Sequence, residues 1–222
     1  MFEKIIFKSE EEKAEFEKYK RLKGIDLYFQ IYNLLTEHRD CISYYEFSSY
    51  IRYDKKLRDK LYIYMATLEE FLRAELLEKF DVNIEKKRCG HIFNDLNNSL
   101  ILRENEHSKL YYGFQPDFGD LMHICETKGI YIIDSNDQKS IKQLRNETMH
   151  HALIMFGSIK TEKDLGQHFV VLEKRLNAFS QALPKEYKIG FLSDIIKLNG
   201  TNKKYLNKYY LEVQNGRICV KR

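Results

Sequence analysis

The chain has 222 residues with only 2 Pro and 10 Gly, where average usage would give roughly 11 and 16, and this scarcity of chain breakers points to a mostly helical protein. Hydrophobic residues make up 43% and charged residues 32%, enough apolar surface to build a core and to exclude a disordered or collagen-like chain. Lys plus Arg number 37 against 33 Asp plus Glu, a net charge of +4, which is too near balance for composition alone to mark a nucleic-acid-binding protein.

The N-terminus carries a short apolar patch, Ile5 to Phe7, and then turns acidic. That pattern fits neither a signal peptide nor an Arg-rich transit peptide. No apolar run approaches the ~20 residues a bilayer span needs, so a cytoplasmic protein without membrane contact is expected. Cys41, Cys89, Cys125 and Cys219 are scattered with no C-x-x-C pair, which reads as reduced thiols rather than a disulfide framework or a zinc site.

Ser9 followed by Glu10, Glu11 and Glu12 is a helix start, a capping hydroxyl with acidic residues at the positive end of the macrodipole. The helical pattern runs from about 10 to 37 and weakens at Gly24. An aromatic segment, Tyr44 to Tyr53, leads to Asp54, which can cap the clearest helix. Leu57, Leu61, Met65, Leu68, Leu72, Leu76 and Phe80 recur every three or four residues, as one buried helical face requires. Residues 81–116 read as turns around one or two short helices. A helix is predicted over 120–128, and Gly129 to Ile133 is either a short strand or a buried helix start. Asp134 or Ser135 opens a helix that continues through Ile141, Leu144, Thr148, Ala152 and Met155 and stops before Gly157. Thr161 with Asp164 suggests a capping box for another, which carries Leu165, Phe169, Leu172, Leu176 and Phe179 and ends before Pro184. Finally, Tyr209 to Val213 and Arg217 to Val220 alternate around Asn215-Gly216, the strongest short-range signal for a β-hairpin.

Charge is unevenly placed. Residues 184–222 hold seven Lys and two Arg against Glu186, Asp194 and Glu212, a net +6 that leaves the remainder at −2. The chain therefore divides into a helical domain over 1–183 and a basic tail over 184–222. In the tail Lys203, Lys204, Lys208 and Arg217 can meet phosphates, while Tyr187, Tyr205, Tyr209 and Tyr210 can stack on unpaired bases. The competing reading is a solvated surface hairpin.

One constellation carries chemistry. Within the helix that opens near residue 135 lies Leu144-Arg145-Asn146-Glu147-Thr148-Met149-His150-His151. On an ideal helix Asn146 and His150 face one another at i,i+4, so the amide can orient the imidazole. Arg145 and His150 are five apart, about 140° round the helix, so one helix converges them poorly and two copies across a two-fold axis would do better. The trio suits RNA cleavage by internal transesterification. An imidazole can take the 2′-OH proton or protonate the leaving 5′-oxygen, and a guanidinium fork can neutralise the charge that grows on phosphorus. Neither a metal nor a cofactor is called for. His151 is the second choice of imidazole, about 100° away from His150 on the helix.

The stretch Leu144 to Ala152 resembles the R-N-x-x-x-H signature of the HEPN superfamily, and its setting resembles the Abi-like (AbiD/AbiF) proteins of bacterial phage defence. Tyr53-Asp54-Lys55-Lys56-Leu57-Arg58 running into Leu68-Glu69-Glu70-Phe71-Leu72-Arg73 looks like that family's D-x-x-L-R and I-E-x-x-L-R helix. Phe118-Gly119-Asp120-Leu121 looks like its F-G-x-L element. The resemblance covers roughly residues 25–180. It implies an all-α HEPN-like helical bundle, a metal-independent ribonuclease site at Arg145 and His150, abortive-infection or toxin-like biology, and a bound partner RNA. It also lets Glu69 and Arg73, on their own an ordinary i,i+4 ion pair, be read as lining the site. Ala152 stands where HEPN toxins silenced by nucleotide transfer carry a Tyr, so that form of control is not expected.

The leading expectation is thus a homodimeric, cytoplasmic endoribonuclease. The alternatives are a non-catalytic RNA-binding component of a ribonucleoprotein, which would use Arg145 and the tail as phosphate contacts, and a helical protein-interaction module.

Overall fold

The computed structural model describes residues 1–82, 100–102, 117–131, 133–157, 159, 162–200, 206 and 208–221. Among these the chain forms seven helices: α1 (Glu10–Lys23), α2 (Ile25–Thr36), α3 (Tyr44–Lys79), α4 (Phe118–Thr127), α5 (Ser135–Met149), α6 (Glu162–Ala182) and α7 (Lys185–Asn199). Three two-stranded pairs accompany them: β1 (Ile5–Ile6) parallel to β2 (Ile42–Ser43), β3 (Phe80–Val82) antiparallel to β4 (Leu100–Leu102), and β5 (Tyr210–Gln214) antiparallel to β6 (Arg217–Lys221). The protein is an all-α bundle with a small C-terminal β-hairpin.

The helix starts follow the caps legible in the sequence. Ser9 Oγ accepts from Glu12 N–H at the head of α1, Asp117 from Asp120 N–H at α4, and Asp134 from Asn136 N–H at α5, each satisfying an otherwise orphaned donor. The long pattern over 10–37 resolves into α1 and α2, broken at Gly24, whose φ is +89°.

α3 is the axis of the fold. Its 36 residues extend about 54 Å, and it packs against α2, α4, α5 and α7. The apolar stripe Leu57, Leu61, Met65, Leu68, Leu72 and Leu76 is buried along its whole length, each side chain contributing roughly 1.5–3 kcal/mol of burial. α3 starts ten residues before the predicted cap. The aromatic segment Tyr44 to Tyr53 is its first part, with Tyr44, Phe47, Tyr50, Ile51 and Tyr53 all buried, and Asp54 lies inside the helix with no N-terminus of its own to cap.

Two other expectations are corrected. The stretch Gly129-Ile130-Tyr131 is neither strand nor helix: Ile130 N–H and Tyr131 N–H both return to the Cys125 carbonyl, and Tyr131 Oη–H donates to the Ala182 carbonyl at 2.9 Å. α5 ends at Met149, six residues before the predicted Met155, so the R-N-x-x-x-H stretch runs off the end of a helix. The turns expected within 81–116 and the Thr161 cap fall mostly or wholly outside the described residues.

Within the basic C-terminal region, residues 185–199 form α7. Phe191, Ile195 and Leu198 bury its inner face, and α7 and the hairpin contribute to the same core as α3 and α6.

The Asn-Gly hairpin forms in the predicted register, with Gln214 opposite Arg217. Asn215 and Gly216 have φ of +51° and +73°, the double positive φ of a type I′ turn. It is inset between helices. Leu211 N–H donates to Tyr53 Oη at 2.8 Å, and the Leu211 carbonyl accepts from Asn199 Nδ2 at 2.9 Å. On the other strand Asn177 makes a reciprocal pair of bonds with Ile218 at 2.7 and 2.9 Å, and Val220 N–H donates to Glu173 at 2.7 Å.

Candidate functional site

Arg145 lies in the last turn and a half of α5 and is half-buried. Its Nε is shut off from solvent and has no hydrogen-bond partner. The other arginines at this depth are committed: Arg58 to Asp54, Arg73 to Glu69, Arg175 to Glu147, and Arg52 to the Ser49 hydroxyl and the Tyr45 ring. Among the described residues, Arg145 is the half-buried arginine whose side chain meets no protein acceptor. Glu147, two residues further along α5, is taken up by Arg175 of α6 at 2.9 and 3.0 Å, which ties α5 to α6.

His150 is the C-cap of α5. Its φ of −88° and ψ of 12° leave the helix, and its N–H still donates to the Asn146 carbonyl at 2.9 Å. This is the ordinary main-chain bond of the helix; among the described residues no hydrogen bond joins the Asn146 side chain to the imidazole, and the Asn146 side chain is exposed. His151 follows with φ of +57°, a left-handed conformation that Gly adopts freely and that among other residues Asn, Asp and His favour. Both imidazoles are exposed at the helix end.

The chain then makes an irregular turn through Leu153, Ile154, Met155 and Phe156, all buried. The turn makes main-chain bonds of its own from Gly157 N–H to the Leu153 carbonyl at 3.0 Å and from Ile159 N–H to the Phe156 carbonyl at 3.4 Å, and side chains from other helices satisfy the groups that these leave over. Asp54 Oδ1 accepts from both Ile154 N–H and Met155 N–H at 2.8 Å. Arg58 donates to the His151 carbonyl at 2.7 Å, and its Nε lies 3.3 Å from Asp54 Oδ2. His168 of α6 places Nε2 3.2 Å from the Ile154 carbonyl, and a ring nitrogen facing a carbonyl must carry the proton. Burial holds His168 below the usual imidazole range, which favours this neutral form. Gln30 of α2 donates to the Gly157 carbonyl. Gly157 closes the turn with φ of +54°, and a Cβ there would stand 2.7 Å from the His168 ring.

Asp54 is fully buried, and loss of solvation pushes its carboxyl up to about 6 despite the two backbone donors and Arg58, which pull the other way. No family model, curated protein or solved structure matches the chain.

The remaining candidates are placed as follows. Glu69 and Arg73 pair at 2.9 Å on α3, both half-buried. Glu69 is eleven residues beyond Arg58, about 16 Å of helix rise, and among the described residues no hydrogen bond or ion pair joins either to Arg145, Asn146, His150 or His151. Lys208 and Arg217 are exposed, Lys203 and Lys204 lie outside the described residues, and so does Tyr205. The idea that tail tyrosines stack on bases is corrected for two of them. Tyr209 is buried with its ring 5.3 Å from Phe169 and 6.3 Å from Phe156, and Tyr210 is buried as well. Tyr187 is exposed.

Among the described residues no group of three or more His, Cys, Asp or Glu is arranged to hold a metal ion, and no helix is long and apolar enough to cross a membrane. Two surface cavities are lined by described residues. One of about 330 Å³ is lined by Glu15, Tyr28, Tyr44 and Arg52 among others, and one of about 260 Å³ by His38, Arg39, Glu46 and Lys208 among others. Neither includes Arg145 or the histidine turn. What sequence reasoning misses is the partnership of Asp54 and Arg58 with residues 151–155. The D-x-x-L-R pattern is visible in the sequence, but its partners lie about a hundred residues away.

Proposed function

We propose that this protein is a metal-independent endoribonuclease of the HEPN, Abi-like kind, acting as a homodimer in the cytoplasm. The observation that carries the reading is the uncommitted Arg145 guanidinium close in sequence to two exposed imidazoles at the end of α5. A half-buried cation that meets no acceptor among the described residues is suited to an external anion, and a phosphodiester fits its fork. His150 is the proposed acid or base for the 2′-OH and 5′-oxygen, and Arg145 the stabiliser of the charged phosphorane. Asn146 supports His150 through its carbonyl. Because Arg145 and His150 lie five residues apart, a second copy brings the complementary pair onto one phosphate. Phage defence or toxin biology, with a bound noncoding RNA, is the setting that the motif resemblance suggests.

The test is cleavage of end-labelled RNA in EDTA by wild type, Arg145→Ala and His150→Ala. The expected result is products ending in 2′,3′-cyclic phosphate, and loss of about 10²–10⁴ in rate for the His150 variant. Equal cleavage by wild type and His150→Ala overturns the catalytic assignment. Salt-sensitive RNA binding without cleavage, unchanged by His150→Ala, would favour a non-catalytic RNA-binding role instead.

A further inference from the structure

The turn after α5 is fixed by more than the ordinary chemistry of a helix end. A glycine at position 151 would supply the left-handed conformation at no steric cost; the chain has His151 there, at φ +57°. A neutral amide at position 54 could accept from Ile154 N–H and Met155 N–H; the chain has a fully buried carboxylate. A buried charge is costly to desolvate and is retained only with a partner. The partner is Arg58, whose Nε faces Asp54 Oδ2 at 3.3 Å as an ion pair without a hydrogen bond, and whose terminal nitrogen donates to the His151 carbonyl at 2.7 Å. The negative charge on Asp54 is not needed to hold residues 154 and 155. It is needed to aim Arg58, and Arg58 holds His151.

The geometry points to Asp54 and Arg58 as positioning residues that fix the main chain at His150 and His151, so that the imidazoles leave the end of α5 in one orientation relative to Arg145. This rests on the nuclease reading for its catalytic consequence, while the fixing of the turn does not. The chain of contact is short: Asp54 aims Arg58, Arg58 holds the His151 carbonyl, and His150 is bracketed between that carbonyl and its own bond to Asn146. Small displacements of a reacting group are costly to rate, about 10²-fold for 1 Å.

The test uses Asp54→Asn and Arg58→Gln in the full-length protein, with two readouts. Asp54→Asn keeps an oxygen for the two N–H donors and removes the charge that aims Arg58. In RNA cleavage both variants are expected to lose roughly 10–100-fold in kcat with KM little changed, and Arg58→Lys to recover only part of the loss, since an ammonium restores charge but not the fork. In NMR of the histidine side chains, both variants are expected to shift the His150 and His151 resonances while His38 and His123 stay in place. If His150→Ala abolishes cleavage but both charge variants keep the wild-type kcat, positioning is overturned and the nuclease reading stands. If wild type cleaves no RNA, the nuclease reading fails and the resonances decide alone: unshifted His150 and His151 signals overturn the inference. Should Asp54→Asn fail to fold, Arg58→Gln carries the same comparison.

Discussion

Two acid-arginine pairs stand on α3 at the same i,i+4 spacing, and they behave differently. Glu69 and Arg73 meet at 2.9 Å with about a quarter of each side chain exposed, while Asp54 and Arg58 are 3.3 Å apart with Asp54 at 0%. The first pair closes on its own helix through one bond, Arg73 Nη2 to Glu69 Oε1. The second turns outward from its helix to bind the main chain of residues 151–155. The spacing is the same in both; the difference comes from what packs against each, since burial removes water as an alternative partner and makes every bond at Asp54 obligatory.

The comparison can be broken at several points. The largest effect is expected from Asp54→Ala, which strands Arg58 and two buried N–H groups and should destabilise the protein by about 3–5 kcal/mol in urea unfolding; a loss below about 1 kcal/mol would put the two pairs in one class. Next comes pH. A carboxyl raised from 3.8 to about 6 holds its proton in the folded state where the unfolded chain has released it. Its contribution is therefore fully present below about 4 and lost as pH rises through about 6, a swing of roughly 3 kcal/mol. Unfolding of wild type relative to Asp54→Asn across pH 4 to 7 should show that decline, and a flat difference would contradict it. Tyr53→Phe, one residue before Asp54, removes the acceptor of the buried Leu211 N–H and should cost about 1–3 kcal/mol in the same assay. The smallest effect belongs to the other pair: a double-mutant cycle on Glu69 and Arg73 should return a coupling of about 0.3–0.5 kcal/mol.

What the sequence discloses follows how local each cause is. The β5–β6 hairpin is readable because two adjacent residues, Asn215 and Gly216, determine the turn, and the α3 stripe because its spacing repeats. The beginning of α3 is hidden because Tyr44 to Tyr53 is rich in aromatics of middling helix propensity and Asp54 is a common cap residue. The true partners of Asp54 lie beyond any local window. The end of α5 is hidden for the same reason: Ala152 and Met155 continue the apolar spacing, and the stop is imposed by Asp54, Arg58 and His168 from other helices. α7 is legible in principle, since Phe191, Ile195 and Leu198 follow helical spacing after Pro184, but the excess of lysine around them masks the apolar face. The R-N-x-x-x-H pattern supplies the residues of the candidate site and not its geometry, which depends on the helix stopping at Met149.

The inset hairpin bears on how copies of this chain can meet. An exposed two-stranded ribbon presents two rows of main-chain donors and acceptors on which a further strand can template, a common route to domain exchange and fibrils. Here Leu211 and Ile218 have both of their outward main-chain groups taken by side chains of α3, α7 and α6, and Val220 has its N–H taken by Glu173. At those positions the ribbon's edges are closed to strand addition, which makes this hairpin a poor template for open-ended stacking.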